Sequence, residues 1–244
     1  MKLQEEDYYG KYWQLKSDKS KKINDELVKG IERLCSSDPI FEELPVWGTI
    51  ERELQKRVVF FREGIKGKIL DAGCGSGEWV FHLANLNEVD KVVGVDISKT
   101  AIKGCIKRKK IQKNPVKAQF VVGTLTNLPF DKKSFNSIFC LEVAEHVLDV
   151  NSMLAEFNRI LKKGGYLGIS TVDFNLLKMI IIGTFFFEKY FDPRSPHIRF
   201  FTKKTLGMLL EKNGFELKKY RWTKSYFGIM PMGQMVLAQK IKDI

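Results

Sequence analysis

The sequence has little of what marks chains that are disulfide-bonded, metal-bound or membrane-spanning. It contains three histidines, which form no cluster, and four cysteines, none of them in a C-x-x-C pair. These absences support neither a disulfide framework nor a zinc site, and we expect no metal. The most apolar run, Met179–Phe187, lies between Lys178 and Glu188. It is far shorter than the roughly 20 residues that a bilayer span requires.

Composition and charge describe an ordinary globular chain with a basic surface. At 244 residues, with 44% hydrophobic and 29% charged residues, the chain has the size and composition of one large domain. Residues 1–10 are acidic and aromatic, which does not fit a signal or transit peptide, and we expect a cytoplasmic protein. The net charge of +12 predicts attraction to anions such as nucleic acid, anionic lipid head groups or acidic metabolites.

Short apolar runs alternate with segments of helical periodicity along most of the chain. Glycine and polar residues bound each run, and this pattern predicts strands that are buried on both faces. Alternating strands and helices indicate an α/β fold, a doubly wound and mostly parallel sheet with helices on both sides. The five runs are Ile69–Leu70, Lys91–Asp96, Gln119–Val122, Phe135–Leu141 and Gly165–Thr171.

Two later segments have clear helix boundaries. Asn151–Lys163 places its apolar residues on one face, with Asn151 as the expected N-cap and Gly164 as the end. A second helix is expected to begin after Thr202 and to stop at Gly214. Two final strands follow, at Phe215–Thr223 and Gln234–Ile241.

Two regions interrupt this alternation and divide the chain. Residues 1–66 predict an N-terminal helical cap, and residues 67–244 form the main domain. Within that domain, residues 174–201 are an insertion after the fifth strand. The cap and the insertion both lie where lids over a site are built. We therefore count neither as a separate domain and expect effectively one domain.

A glycine-rich turn, Asp71-Ala72-Gly73-Cys74-Gly75-Ser76-Gly77, follows the first predicted strand. Glycines at this place allow a tight turn and let a ligand approach bare backbone. The second strand ends at Asp96, about 20 residues later, where a carboxylate accepts hydrogen bonds from both ribose hydroxyls of an adenosine. The turn and the acid together predict a cofactor that contains adenosine.

The residue after the turn distinguishes two such cofactors. A nicotinamide cofactor requires Gly-x-Gly-x-x-Gly, so that its pyrophosphate meets the helix N-terminus. This chain has Glu78 at the last position. A carboxylate there opposes a pyrophosphate but tolerates a cofactor without phosphate, which favours S-adenosylmethionine over NAD.

Five ordered segments between residues 66 and 241 match one family. They are Ile69–Gly77, Val93–Ser98, Leu128–Phe130 with Ser134–Phe135, Glu142–Val147 and Arg159–Gly165. Through them the chain resembles the class I S-adenosylmethionine-dependent methyltransferases, of the small-molecule type found in ubiquinone and menaquinone biosynthesis (methyltransferase type 11). The resemblance implies a Rossmann-like, seven-stranded sheet with an antiparallel last strand, and methyl transfer to a small acceptor.

The resemblance also implies which residues bind the cofactor. The turn would hold the methionine end, Asp96 the ribose and Ile97 the adenine. One position departs from the family, because Thr124 stands where an acid usually accepts the adenine amino group. The implied set is Asp71, Gly73, Cys74, Gly75, Gly77, Asp96, Ile97, Thr124, Leu125, Leu141, Glu142 and His146.

Two histidines and a group of aromatic residues are candidates for the reaction itself. His146 follows the fourth strand and would act as general base or hold the methionine carboxylate. A histidine bonded to backbone at a helix start is the alternative interpretation. His197 lies in the insertion, on the expected substrate side. Tyr8, Tyr12 and Trp13 would cover the cofactor, unless they belong to a helix core.

Two further features bear on the acceptor. The apolar segment Phe174–Phe191 fits a packed lid, a surface for a hydrophobic or lipid-linked substrate, or peripheral contact with an anionic membrane. The basic run Lys107–Lys110 fits a solvated helix end or a phosphate-binding patch. Three hypotheses follow: a methyltransferase of small hydrophobic acceptors, a tRNA or rRNA methyltransferase, and a non-catalytic cofactor-binding scaffold.

Overall fold

The computed structural model describes residues 54–111, 116–185, 187, 191, 198–226 and 230–244. Most of the predicted N-terminal cap lies outside these residues, so the boundary at residue 66 remains a prediction. The described part of the cap is a helical segment, 54–61, followed by the 3-10 turn Arg62–Gly64. Phe61 in this segment is fully buried, and its ring centroid lies 5.2 Å from that of Phe139 in the sheet.

A seven-stranded sheet forms the centre of the molecule. Its strands are β1 (Gly67–Ala72), β2 (Val89–Asp96), β3 (Ala118–Val122), β4 (Phe135–Leu141), β5 (Leu161–Val172), β6 (Phe215–Tyr226) and β7 (Met230–Lys240). They are ordered β3-β2-β1-β4-β5-β7-β6. Neighbours from β3 to β5 are parallel, and β7 is antiparallel to both β5 and β6. The predicted Rossmann-like sheet with an antiparallel last strand is confirmed.

Helices connect the parallel strands and cover the two faces of the sheet. They are α1 (Glu78–Ala84), α2 (Lys99–Lys109), α3 (Val150–Ile160), α4 (Leu176–Phe185) and α5 (Lys203–Lys212). Ser98 caps α2, because its hydroxyl accepts a hydrogen bond from the Ala101 N–H at 3.2 Å. None of the helices that the structure describes is long and apolar enough to cross a membrane.

The ends of α3 differ from the predicted ones. Asp149, not Asn151, is the N-cap, and its Oδ1 accepts a hydrogen bond from the Ser152 N–H at 3.0 Å. Asn and Asp cap helices about equally well, so residue type does not decide between them. The helix ends at Ile160, where pairing of β5 with β4 begins. Gly164, the predicted end, lies inside β5 with φ +74°.

The boundaries of α5 agree with the prediction. Thr202 Oγ1 accepts a hydrogen bond from the Thr205 N–H at 3.1 Å, and Thr205 Oγ1 accepts one from the Thr202 N–H at 2.9 Å. This reciprocal capping box satisfies two N–H groups of the first turn. Gly214 follows the helix with φ +79° and leads into β6.

The sheet separates two apolar clusters. One cluster contains Phe157 of α3 and Leu210 of α5, and the other contains Trp79 of α1 and Phe61. The central strands are therefore buried on both faces, as their near-continuous apolar runs require. Ligands of such sheets bind at the carboxyl edge of the strands. At that edge β1, β2 and β4 end side by side, each followed by a loop.

Candidate cofactor site

The glycine-rich turn leaves β1 and lies against the end of β2. Gly73, Gly75 and Gly77 have φ of +82°, +51° and +78°, in the left-handed region that favours glycine. The N–H groups of Gly73 and Cys74 both donate to the carbonyl of Val95, at 2.7 and 2.9 Å. The predicted turn is present, and the neighbouring strand holds it in place.

The first glycine of the turn meets the loop that follows β4, which we call the post-β4 loop (residues 142–149). A Cβ built on Gly73 would lie 2.4 Å from Cγ2 of Val143, much closer than two carbon atoms approach without strain. Glycine is therefore required here for space as well as for backbone conformation. The sequence does not reveal this contact, because it joins two loops far apart in the chain.

Asp96 joins the turn to the end of β2. Its Oδ2 accepts a hydrogen bond from the Gly75 N–H at 2.9 Å, and its Oδ1 accepts one from the Ser98 N–H at 2.8 Å. Burial raises the pKa of Asp96, and these two N–H groups oppose the rise. Each carboxylate oxygen can accept more than one hydrogen bond. Asp96 can thus shape the turn and still accept bonds from ribose hydroxyls.

Asp71 lies one residue before the end of β1 and is buried. Burial raises the pKa of its carboxyl to about 7, Arg57 opposes this rise, and Asp96 adds to it. A carboxyl group with such a pKa is partly ionised near neutral pH. It responds to any cation that binds close to it.

Two thiols pack beneath the turn. Cys105 Sγ donates a hydrogen bond to the carbonyl of Gly75 at 3.3 Å. A hydrogen bond with the Cys105 thiol, and then burial, raise the pKa of Cys74 well above its ordinary value. Cys74 therefore stays protonated at neutral pH and contributes shape to the turn rather than a nucleophile.

The carboxylate of Glu78, the first residue of α1, is paired with Arg108 of α2. The two N–H···O contacts measure 2.5 and 2.9 Å, and Arg108 also donates to the Ser76 carbonyl at 3.2 Å. One cation of the basic run Lys107–Lys110 is thus bound to the glycine turn. Neither interpretation of that run, a solvated helix end or a phosphate patch, included this role.

Two carboxyl groups lie on the post-β4 loop, just after Leu141 ends β4. Glu142 has φ +57°, a strained conformation for a non-glycine residue that is found at functional sites. Its Oε1 accepts a hydrogen bond from Ser170 Oγ at 2.7 Å. Glu145 is 1% exposed and accepts one from Thr171 Oγ1 at 2.9 Å. Burial, and then Glu142, raise the pKa of Glu145 to about 7.

His146 ends the 3-10 turn Ala144–His146 on the same loop and is half-buried. Its N–H donates to the carbonyl of Val143 at 2.9 Å. The histidine therefore belongs to the loop that packs against Gly73, and its role as general base remains a prediction. The other candidates for catalysis or cofactor cover lie outside the described residues: His197, Tyr8, Tyr12 and Trp13.

The predicted adenine edge lies at the carboxyl ends of β2 and β3. Thr124 forms an isolated antiparallel bridge with Asn127, and its hydroxyl lies 3.1 Å from that of Thr126. Leu125 is buried in the core, and Ile97 is partly exposed just after β2. The structure thus places Thr124 and Ile97 at the same edge as the turn, and Leu125 in the core.

The described side chains offer no metal centre. In the part of the chain that the structure covers, no three His, Cys, Asp or Glu side chains are placed to hold a metal ion. Glu142 and Glu145 are bound by different hydroxyl groups of β5, those of Ser170 and Thr171. The site is instead a bare-backbone turn with carboxyl groups around it.

Comparisons with known proteins agree with this fold. Residues 70–169 match a family model described as "Methyltransferase domain". The chain is 32% identical over 165 residues to the ubiquinone biosynthesis O-methyltransferase of Pelagibacter ubique, and the alignment covers 62% of each chain. It is 29% identical over 206 residues to the demethylmenaquinone methyltransferase of Lactococcus lactis, and that alignment covers 82% of this chain and 75% of the relative.

A solved structure shows the same architecture. The SAM-dependent methyltransferase from Methanosarcina mazei has 25% identity and a TM-score of 0.58, over 71% of this chain and 92% of that chain. In sheet order, family match and sequence, the chain is similar to class I S-adenosylmethionine-dependent methyltransferases. It spans 62% of the length of the Pelagibacter relative, so the reactions of these relatives do not pass to it directly.

Proposed function

We propose that the protein transfers a methyl group from S-adenosylmethionine to a small, hydrophobic or lipid-linked acceptor, with S-adenosylhomocysteine as the second product. The observation that carries the proposal is the bond between Gly75 and Asp96. It holds a turn of bare backbone against a buried carboxylate at the carboxyl edge of the sheet. Such a turn admits a ligand without a Cβ in its way.

The charge of the site supports a cationic cofactor. S-Adenosylmethionine has a sulfonium and an ammonium group but no phosphate. Four carboxyl groups, those of Asp71, Asp96, Glu142 and Glu145, lie at this edge of a chain whose net charge is +12. Carboxyl groups repel a pyrophosphate and attract an ammonium group. This local excess of acid favours S-adenosylmethionine over a dinucleotide.

Each part of the site has a task in the proposed reaction. We assign the glycine turn to the methionine end, Asp96 to the ribose hydroxyls and Thr124 to the adenine edge. The cofactor supplies a methyl group that is already activated, so the protein's main tasks are alignment of the acceptor and exclusion of water. His146 accepts the acceptor's proton where the acceptor is a hydroxyl group.

The insertion after β5 supports a hydrophobic acceptor. Helix α4 exposes four apolar side chains, those of Leu176, Met179, Ile180 and Phe185. Beside it, four phenylalanine rings form a cluster with centroid distances of 5.0 to 6.0 Å: Phe174, Phe187, Phe191 and Phe200. A packed segment with an apolar outer face suits a hydrophobic acceptor or the surface of an anionic membrane. Two relatives named for quinone biosynthesis support the same class.

Calorimetry with S-adenosylhomocysteine tests the cofactor assignment. We expect one site in the wild type and a loss of at least about thirtyfold in affinity in Gly75→Val, since valine does not tolerate φ +51°. Gly104→Ala is the control, because a Cβ at Gly104 meets no atom within 4 Å. A wild-type protein that does not bind S-adenosylhomocysteine would falsify the proposal.

Vesicle sedimentation and methyl-transfer assays test the acceptor class. We expect anionic vesicles to retain the protein, and Ile180→Glu with Phe185→Glu to release it. Met208→Glu, at an exposed apolar residue of α5, is the matched control. Equal retention of both variants rejects the membrane contact. Methylation of polar acceptors, with none of hydrophobic phenols or quinols, rejects the acceptor class.

A further inference from the structure

The end of the insertion is bonded directly to the post-β4 loop. The N–H groups of Ile198 and Arg199 both donate to the carbonyl of Glu145, at 3.0 and 3.2 Å. Glu145 is the buried acid beside His146, so this bond lies within one residue of the candidate base. The segment that returns from the insertion and the loop beside the glycine turn therefore form one hydrogen-bonded unit.

The side chain of Arg199 adds a second attachment to the same loop. Its Nε donates to the carbonyl of Val147 at 2.9 Å, and its Nη2 donates to the carbonyl of Leu148. Hydrogen bonds from Ser152 are the main cause of the lowered pKa of Asp149, and the charge of the Arg199 guanidinium adds a smaller lowering. A planar guanidinium presents several donors in a fixed fork, which a lysine ammonium on a flexible stem does not. The side chain thus holds two successive carbonyls that follow His146.

The insertion is closed at its base, so a constraint at its end acts on its beginning. The Phe174 N–H donates to the carbonyl of Phe201 at 3.1 Å, and Asp173 forms a parallel bridge with Phe201. Gln234 Nε2 donates to the same carbonyl at 2.8 Å. Together with the phenylalanine cluster described above, these bonds link the two described ends of the insertion to each other.

The post-β4 loop also contacts the cofactor side. Val143 leaves no space for a Cβ at Gly73, so a shift of this loop changes the packing of the glycine turn. A connected path therefore runs from the turn to Val143, along the post-β4 loop that carries His146, and from the carbonyls of that loop to Arg199 at the end of the insertion.

We propose that Arg199 is a positioning residue that couples the acceptor side of the site to the cofactor side. This inference rests on the proposed function for the identity of the two sides. Arg199 holds the loop that carries His146, and it transmits ordering of the cofactor turn to the described ends of the insertion, residues 174–185 and 198–201. It touches neither cofactor nor acceptor in this assignment, and it acts through the loop alone.

Hydrogen exchange of the ligand-free protein tests the attachment itself. In Arg199→Met we expect amide exchange in residues 143–148 to become roughly tenfold faster, because two hydrogen bonds to carbonyls of the loop are lost. Arg199→Lys restores only part of the protection, since one ammonium does not reproduce the fork. Arg221→Met, at an exposed position of β6, is the control and leaves the loop unchanged. Wild-type exchange rates in Arg199→Met overturn the attachment.

Exchange with S-adenosylhomocysteine tests the coupling. In the wild type we expect the ligand to slow exchange both in residues 73–77 and in the described ends of the insertion, residues 174–185 and 198–201. In Arg199→Met the ligand still protects the turn, with a dissociation constant within about threefold of the wild type, but no longer protects the insertion. Equal protection of the insertion in both proteins overturns the proposal. A wild type that binds no ligand refutes the proposed function instead, and the ligand-free experiment still decides the attachment.

Discussion

Arg108 holds Glu78 through its two terminal guanidinium nitrogens, at 2.5 and 2.9 Å, and the same side chain donates to the carbonyl of Ser76 in the glycine turn. The pair therefore ties the end of α2 to the start of α1, directly behind the turn. The side chains of Arg108 and Glu78 are 34% and 44% exposed. The contribution of the pair to global stability is therefore at most about 1 kcal/mol.

Arg108→Met is expected to weaken S-adenosylhomocysteine binding by roughly three- to tenfold, because the turn loses a brace worth about 1 kcal/mol. Lys107→Glu with Lys110→Glu keeps the wild-type affinity, since both lysines are exposed and Arg108 remains. Calorimetry on the two variants checks this difference. If both variants bind equally well, the brace has no effect on the turn. Retention of RNA by the wild type, lost in the lysine variant, would revive the nucleic-acid hypothesis.

The sequence was sufficient for the sheet and for the turn because both depend on local patterns. Strands buried on two faces appear as apolar runs, and a turn such as Gly73–Gly77 depends only on consecutive residues. The cap Thr202 was also predictable from its neighbours. The N-cap of α3 was not, since Asp149 and Asn151 are equivalent candidates. The end of α3 was not predictable either, because the pairing of β5 with β4 that begins there is not local.

The contacts that organise the site were not predictable, because they join residues distant in sequence. Arg108 and Glu78 are 30 positions apart, and Arg199 and Val147 are 52 apart. No periodicity or motif links such residues in a single sequence. The burial of Glu145 was not predictable either. The segment Glu142–Val147 does not show that Thr171 of β5 supplies the hydroxyl to which Glu145 is hydrogen-bonded.

Gly73→Ala is expected to destabilise the protein by roughly 2–4 kcal/mol, because alanine at φ +82° is strained and its Cβ overlaps Val143. Adding Val143→Ala removes the γ carbons, which lie 2.4 and 2.8 Å from that Cβ. The double variant therefore recovers part of the loss, about 1 kcal/mol or more. Urea unfolding of the four proteins in this cycle measures the coupling.

The matched control for that cycle is Gly104→Ala in α2. A Cβ there meets nothing within 4 Å, and alanine is the better helix former by up to about 1 kcal/mol. We expect unchanged or slightly increased stability. Additive effects of Gly73→Ala and Val143→Ala contradict the close contact between turn and loop.

Asp96→Asn is expected to lower the affinity for S-adenosylhomocysteine by about thirtyfold or more. An amide keeps the shape of the side chain but turns one acceptor into a donor, which opposes the N–H of Gly75 or Ser98. Asp90→Asn, at the exposed other end of β2, removes the same charge and is expected to bind like the wild type. Calorimetry on the two variants separates the loss of a specific acceptor from a change in net charge. Equal affinities exclude Asp96 from the site.

Asp71 is expected to make the protein less stable as the pH rises from about 4 to about 7. Its pKa is raised from 3.8 to about 7 in the folded protein, so the folded state binds more protons than the unfolded state across this interval. The free energy of unfolding then falls by up to about 1.4 kcal/mol per pH unit from this group, and the loss is complete above the folded pKa.

Glu145 titrates in the same range, so the wild-type curve alone does not isolate Asp71. The difference between wild type and Asp71→Asn does, because asparagine resembles the protonated acid and cannot ionise. Urea unfolding at several pH values is expected to show the wild type losing stability relative to Asp71→Asn up to about pH 7 and a constant difference beyond it. A difference that stays constant from about pH 4 to about pH 7 would mean that the pKa of Asp71 is not raised in the folded protein.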